Sequence, residues 1–299
     1  MCATQLEVAK DITADKFEYI HAEAAKRIKK DSYMDDGASG SNSRKDLDDL
    51  AEGIESILAG GGFKVKGMVR SGDPESKVVQ LWGSQEQARV FGVHWDPQKD
   101  KFSFTVVISL TKKFKGARTS EVLTMEIMPA ILETVLTRRI VLGVINTCHD
   151  PLGLLVPITV QLKIQMRDLF SKELNLDWDT ALPHDIKVEW IRLFQLLKQV
   201  EGLTFKRTVR PEQAVGNPEL VLYWDASDEA MCAAAYMLWQ TKGEPECNLL
   251  CAKSRVAPLN RISTPRAEMQ SAVLSVRLRK SYHKAHRHGV RMDLPHRQL

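Results

Sequence analysis

Apolar positions in the first third of the chain alternate between helical and strand spacing. Residues 16–30 predict a polar helix. Ser43 can cap a second helix, whose apolar side chains recur at helical spacing: Leu47, Leu50, Ile54, Ile57 and Leu58. The glycines at 60–62 would end that helix, and the alternation from Phe63 to Val69 is typical of a half-buried strand.

The middle of the chain predicts a hairpin followed by helices. Its strands run from Val90 to Trp95 and from Lys101 to Leu110, joined by a turn over residues 96–100. Residues 121–205 have a mostly helical pattern, which proline and glycine interrupt at 150–153 and 182–183.

The last third predicts a linker over residues 210–218, then three strands and a helix. The strands run from Glu219 to Trp224, Met231 to Trp239 and Asn248 to Val256. The helix begins at Thr264 with proline at its first position. Its buried stripe is predicted from four apolar side chains at i, i+3, i+4 and i+7: Met269, Ala272, Val273 and Val276. These elements indicate a mixed α/β protein of the α+β kind.

Composition narrows the class of protein without naming a function. The 299 residues leave room for two ordinary domains, and the apolar fraction of 43% fits a folded protein. A net charge of +4 permits contact with nucleic acid without requiring it, because affinity depends on where charge clusters. Five cysteines, no apolar leader and no bilayer-length apolar stretch predict a cytoplasmic or nuclear protein that is not secreted and contacts no membrane.

A first candidate site lies at Tyr33-Met34-Asp35-Asp36, where Gly37 allows a sharp turn. Adjacent carboxylates on a tight turn can share the two divalent cations that phosphoryl transfer uses. An isolated Asp-Asp pair is more often a solvated turn. The order of acidic turn, helix, three glycines and strand is more specific, and it favours a metal-binding site.

A second candidate site pairs Asp225, at the end of the strand Leu220–Trp224, with Glu268, just inside the last helix. The helical stripe predicts that Glu268 faces the end of the sheet where Asp225 lies. Clustered carboxylates of this kind hold the two metals used in RNA cleavage. The alternative remains open that Asp225 is a surface residue and that Glu268 is favoured by the helix dipole.

Several motifs, taken in order, resemble one family. The chain from about residue 15 to about residue 278 resembles the polyproteins of Pao-type (Bel/Pao) long-terminal-repeat retrotransposons. The motifs are Lys30-Asp31-Ser32-Tyr33-Met34-Asp35-Asp36, Gly92-Val93-His94-Trp95-Asp96, Asp150-Pro151-Leu152-Gly153-Leu154-Leu155-Val156-Pro157, Leu176-Asp177-Trp178-Asp179, Ala214-Val215-Gly216-Asn217-Pro218-Glu219-Leu220 and Ala252-Lys253-Ser254-Arg255-Val256-Ala257-Pro258.

The resemblance implies three regions: a partial reverse-transcriptase palm over 1–75, a helical thumb or connection region over 76–215, and an incomplete RNase H-like domain over 216–299, with an aberrant tail from about residue 279. It also implies roles for particular residues. Asp35 and Asp36 would be polymerase metal ligands, and Asp225 and Glu268 would be RNase H metal ligands. Four residues would lie near the primer strand: Tyr33, Met34, Gly92 and Trp95.

The implied partners are an RNA template, a DNA primer and an RNA–DNA hybrid, and the implied cofactor is Mg²⁺ or Mn²⁺. The chain departs from the family pattern at both ends. No apolar strand ending in aspartate precedes Tyr33, and no strand with a further aspartate follows the last helix. We therefore expect the chain to bind metal weakly and to perform neither reaction unaided.

Three alternatives stay open. A non-catalytic remnant or domesticated element protein could bind nucleic acid through the basic stretch 112–118, Arg207, Arg210 and the tail. Zinc could be bound by two cysteines and two histidines, namely Cys247, Cys251, His283 and His288. The product could also expose apolar surface and aggregate.

Overall fold

The structure is a computed structural model that describes residues 3–41, 43–74, 88–106 and 135–285. The chain separates into two compact units, Met1–Phe102 and Ser103–Leu299. The mixed α+β class predicted from the sequence is confirmed by helices and small antiparallel sheets. The three-region division predicted from the sequence stays a prediction.

Three helices form the core of the first unit: α1 (Ala3–Phe17), α2 (Ala22–Asp31) and α3 (Arg44–Gly60). Small side chains let them approach closely, since the buried cluster contains Ala14, Ala24, Ala25, Ile28, Leu50 and Ile57. The helix predicted over 16–30 is confirmed in its second part by α2, but its first part is wrong, because the chain turns between α1 and α2. Helix α1 was not predicted, because among its residues Ala14 alone is buried in the apolar cluster and Phe17 packs against its edge.

The predicted limits of α3 are confirmed. The Ser43 hydroxyl accepts a hydrogen bond from the Asp46 amide at 3.1 Å, and the helix ends at Gly60 before Gly62, whose φ is 78°. The strand predicted from Phe63 to Val69 is wrong, because these residues pair with no other strand. An ion pair of 3.0 Å between Arg70 and Asp48 holds the end of this segment to α3 instead.

Two hairpins complete the first unit. The first joins β1 (Ser32–Tyr33) to β2 (Asp36–Gly37). The second joins β3 (Ala88–Val90) to β4 (Val93–Asp96), and β5 (Lys101–Ser103) lies next to β4 in the same sheet. The turn predicted over 96–100 is confirmed for residues 97–100, whereas Asp96 ends β4. The predicted strand from Val90 to Trp95 is broken at Phe91–Gly92, where both φ angles are positive (51° and 77°). Residues 107–110 of the predicted hairpin lie outside the described residues.

From residue 135 onwards, the second unit contains helices α4 (Arg138–Thr147), α5 (Val156–Asp168) and α6 (His184–Gln199), followed by strand β6 (Thr204–Lys206). The helical pattern and both of its breaks are confirmed from residue 135 onwards, and residues 121–134 lie outside the described ranges.

The break before α5 is built around Asp150, whose carboxylate accepts hydrogen bonds from the amides of Gly153, Leu154 and Leu155 at 2.7–3.0 Å.

A three-stranded antiparallel sheet has the order β7 (Ala214–Ala226), β8 (Ala230–Thr241) and β9 (Glu246–Val256). All three predicted strands are confirmed. The predicted linker over 210–218 is wrong in its second half, because β7 starts at Ala214. A bulge between Val215 and Glu219, with Gly216 at φ 70°, interrupts the alternation by which a strand is recognised.

Helix α7 (Thr264–Ala285) packs across β7 and β8. Its buried side is formed by Ala267, Ser271, Ser275, Leu278 and Tyr282. The predicted stripe is wrong: Met269, Val273 and Val276 are 71%, 49% and 47% exposed. Both sets recur at helical spacing. The buried set includes the small side chains of Ala267, Ser271 and Ser275, which let the helix lie close to the sheet.

Candidate functional site

The acidic motif forms a two-residue hairpin. Ser32 pairs with Gly37 and Tyr33 with Asp36, so that Met34 and Asp35 form the turn. The sequence placed the turn one residue later, at 35–37. Met34 has φ 53°, a left-handed conformation that non-glycine residues adopt at a cost in energy. Asp35 is exposed at the tip of this turn.

Asp36 connects the acidic hairpin to the second hairpin of the same unit. Its carboxylate accepts a hydrogen bond from the Phe91 amide at 2.8 Å, next to Gly92. The acidic motif therefore contacts the residue that directly precedes the motif Gly92–Asp96. One oxygen of Asp36 is occupied by this backbone amide, whereas the carboxylate of Asp35 is presented to solvent.

Two residues of α1 that the sequence did not single out hold the acidic hairpin. The Lys10 ammonium, which is 8% exposed, donates to the Met34 carbonyl at 2.5 Å and to the Ser32 hydroxyl at 3.1 Å. The Glu7 carboxylate accepts a hydrogen bond from the Met34 amide at 3.1 Å. The spacing of Glu7 and Lys10 places both on one helix face, but nothing in the sequence linked that face to Met34.

The predicted primer-proximal residues occupy different environments. Tyr33 is 61% exposed. The Trp95 indole donates a hydrogen bond to the Asp100 carboxylate at 3.0 Å and is thereby fixed to the turn between β4 and β5. Their position relative to a primer stays a prediction.

Asp225 projects from the sheet face opposite α7. Trp224 and Ala226, its neighbours on β7, both pack into the clusters beneath α7. Because side chains alternate along a strand, the carboxylate between them points the other way. Asp225 is exposed, and it accepts a hydrogen bond from the Ala226 amide at 2.8 Å. Burial raises the pKa of the Cys232 thiol opposite it, and the charge of Asp225 raises that pKa further.

Glu268 lies near the same end of the sheet. It follows Ala267, which packs with Met231 and Ala226, and it is half-buried. The two acids therefore approach one sheet end from different sides, and neither a hydrogen bond nor an ion pair joins them in the described chain. No group of three or more His, Cys, Asp or Glu able to hold a metal occurs among the described residues.

Two-metal chemistry needs a cluster of carboxylates. Asp35 with Asp36, and Asp225 with Glu268, supply two carboxylates each, and Asp36 and Asp225 each direct an oxygen at a backbone amide.

The predicted zinc site is wrong in its cysteine half. Cys251 pairs with Ala235 and packs beneath α7, whereas Cys247 pairs with Leu238 on the opposite face, because a bulge at Ala235 and Tyr236 shifts the register between them. His288 lies outside the described residues.

The predicted basic contacts have mixed outcomes. The Arg210 guanidinium stacks over the Trp239 ring at 5.4 Å, which gives it a packing role. The stretch 112–118 lies outside the described ranges, as does the tail from residue 286.

Residues 137–293 match the family described as the Pao retrotransposon-like RNaseH-like domain. The match starts at the cap of α4, well before the boundary at 216 predicted from the sequence, and it includes both Asp225 and Glu268. No curated protein matches the chain significantly.

Proposed function

This chain belongs to the Pao retrotransposon-like RNaseH-like family, and from that membership we propose that it derives from the RNA-directed DNA polymerase and RNase H region of such an element. The ancestral activities would be two-metal nucleotidyl transfer and cleavage of the RNA strand of an RNA–DNA hybrid. The observation that carries the proposal is the family match over residues 137–293, more than half of the chain.

For the RNase H part, Asp225 and Glu268 are the proposed metal ligands. Their position at one end of the β7–β8–β9 sheet supports this assignment. In the complete enzyme they would bind Mg²⁺ or Mn²⁺ together with further carboxylates. Because the described residues contain no group of three such ligands, we expect weak metal binding and no cleavage by this chain unaided.

For the polymerase part, Asp35 and Asp36 are the proposed ligands, with Tyr33, Met34, Gly92 and Trp95 near a primer. The contact between Asp36 and the Phe91 amide supports a common site, because Phe91 directly precedes Gly92 in the chain.

The proposed partners are an RNA template, a DNA primer and their hybrid. The four described cysteines are free thiols, which supports a reducing compartment, the cytoplasm or the nucleus. No described helix combines the length and the apolar character needed to cross a lipid bilayer.

A second candidate function is a non-catalytic nucleic-acid-binding remnant, or a domesticated element protein. It is favoured by the same incomplete set of acids, since binding to phosphates does not need a metal.

One assay tests these proposals. The purified chain is mixed with an end-labelled RNA–DNA hybrid and with a primed RNA template, in Mg²⁺ and then in Mn²⁺. We expect retention of the hybrid, no cleavage and no primer extension. Metal-dependent cleavage that is lost in Asp225→Asn and Glu268→Gln would show that two acids suffice and would contradict the expected inactivity. Absence of binding to any nucleic acid at low salt would refute both candidate functions.

A further inference from the structure

Positive charge is concentrated in β9, α7 and their connection. Residues 246–285 contain eight Lys and Arg against two carboxylates, a net charge of +6, whereas the whole chain carries +4. The other residues are therefore slightly acidic as a group. The net charge of the whole chain conceals this asymmetry.

Three of these cations lie along one face of α7. Arg266, Arg277 and Lys280 are exposed, and at 3.6 residues per turn their spacings of 11 and 3 keep them within about 60° of arc. With a rise of 1.5 Å per residue, they extend over about 21 Å of the helix.

Two more cations lie on the same side of the sheet. Lys253 and Arg255 of β9 are exposed and pair with Ala233 and Met231, whose side chains face α7. Arg255 pairs with Met231, and Met231 packs against Ala267, so Arg255 lies towards the first turn of α7. We name these five residues the basic track: Lys253, Arg255, Arg266, Arg277 and Lys280.

No carboxylate neutralises the basic track within the part of the chain that the structure describes. Other arginines of the same unit do have such partners, for example Arg139 with Asp179 at 3.1 Å and Arg192 with Glu189 at 2.6 Å. The helix dipole does not account for the arrangement, because Arg266 lies in the first turn, where a cation is disfavoured. Like charges held together are stabilised when a polyanion binds.

We propose that the basic track binds the phosphate backbone of an RNA–DNA hybrid, which extends along α7 away from Asp225 and Glu268. The inference rests on the proposed function, since the hybrid is the substrate of that site, and it adds a second contact surface. A length of about 21 Å corresponds to about six base pairs at 3.4 Å each.

Another occupant would be an acidic amphipathic helix of a partner protein. It would use the exposed apolar stripe of α7, formed by Met269, Val273 and Val276. The distribution of charge favours the duplex, because the cations continue onto β9 whereas the apolar stripe is confined to α7.

The test uses the full chain and a fluorescein-labelled 16-base-pair RNA–DNA hybrid, in EDTA, with anisotropy measured at several salt concentrations. Because EDTA removes the divalent metal that cleavage requires, the anisotropy reports binding alone. We expect Arg277→Glu with Lys280→Glu to weaken binding by about tenfold or more and to reduce the slope of log K against log salt by about 2.

The matched control is Lys172→Glu with Lys242→Glu. Both lysines are exposed, lie on connections outside β9 and α7, and give the same change in charge. We expect this control to weaken binding much less. Thermal unfolding followed by circular dichroism checks that both double variants fold.

Equal weakening by the two double variants would overturn the basic track and leave the proposed function standing. A wild-type chain that does not bind the hybrid would refute both. Met269→Ser with Val273→Ser tests whether the hybrid uses the apolar stripe. A loss of hybrid binding smaller than that of Arg277→Glu with Lys280→Glu supports the track, and an equal or larger loss overturns it.

Discussion

Several carboxylates in this chain bind backbone amides. Asp36 accepts from Phe91, Asp150 accepts from three consecutive amides, and Asp225 accepts from Ala226. A carboxylate that ends a strand or fills a turn can satisfy unpaired N–H groups, which is a structural role. The same residue types in the same places also serve as metal ligands. A single carboxylate therefore does not reveal whether it has a structural or a metal-binding role. The two roles are distinguished only when further acids converge on the site.

Gly153 offers a sharp test at this scale. Its φ is 76°, and a Cβ there would overlap the carbonyl group of Ala252, whose amide donates to the Leu152 carbonyl at 2.8 Å. We expect Gly153→Ala to lower the free energy of unfolding by more than about 1 kcal/mol, measured by urea denaturation with tryptophan fluorescence.

Gly143 is the matched control for that substitution. It lies in α4, and among the described residues no atom outside its own helix backbone and chain neighbours lies within 4 Å of a Cβ built there. Gly143→Ala should stabilise the chain by about 0.5–1 kcal/mol, because alanine is the better helix former. Equal effects of the two substitutions would contradict the close approach of Gly153 to β9.

Packing between elements decided which face of α7 is buried. The helix lies close to β7 and β8 through Ala267, Ser271 and Ser275, which leaves the larger Met269 and Val273 outside. Small side chains allow close approach, and the sheet beneath is itself lined by Ala233 and Ala235. An apolar pattern alone favours the wrong face, because alanine and serine carry little hydrophobic signal.

The contact between α1 and the acidic hairpin is testable at the element scale. Lys10→Met leaves the Met34 carbonyl without its buried donor, which costs about 1–3 kcal/mol locally. We expect faster amide hydrogen exchange across residues 32–37, measured by mass spectrometry. Lys45→Met is the control, since Lys45 is exposed on α3. Unchanged exchange in the Lys10 variant would show that α1 does not hold the hairpin.

At the scale of the whole molecule, the family match and the basic track both lie in one part of the chain. The family match over residues 137–293 lies wholly within the second unit, Ser103–Leu299. The basic track belongs to the same unit. The first unit contains the acidic hairpin, whose reverse-transcriptase origin is a proposal. Hybrid-binding assays should therefore respond first to substitutions in the second unit.

Stability should fall at alkaline pH. Burial, together with the charge of Asp150, raises the pKa of the Cys148 thiol from 9.0 to about 11. Between these values the unfolded chain releases a proton that the folded chain retains, so this contribution is complete below about pH 9 and is lost as the pH approaches 11. Urea midpoints from pH 7 to 10.5 should fall less steeply in Cys148→Ala than in the wild type. A parallel decline in both would exclude this thiol as a cause.

Periodicity and turn chemistry were sufficient for much of the fold. The Ser43 cap, the glycines after α3, the strands over 219–256 and the start of α7 at Thr264 are local features, which neighbouring residues determine. Motif order was sufficient for the family. The bulge near Gly216 and the break at Phe91–Gly92 were missed, because each interrupts an alternation that is read only over several residues.

The amino-acid sequence by itself determined the α+β class, the retrotransposon family and the positions of the candidate acids, since these depend on local pattern and on residue identity. Only the tertiary structure decided which face of α7 is buried, that Asp225 points away from that helix, and that Lys10 and Glu7 support the acidic hairpin. These features depend on contacts between residues far apart in the chain, where packing and the pairing of buried polar groups outweigh local preference.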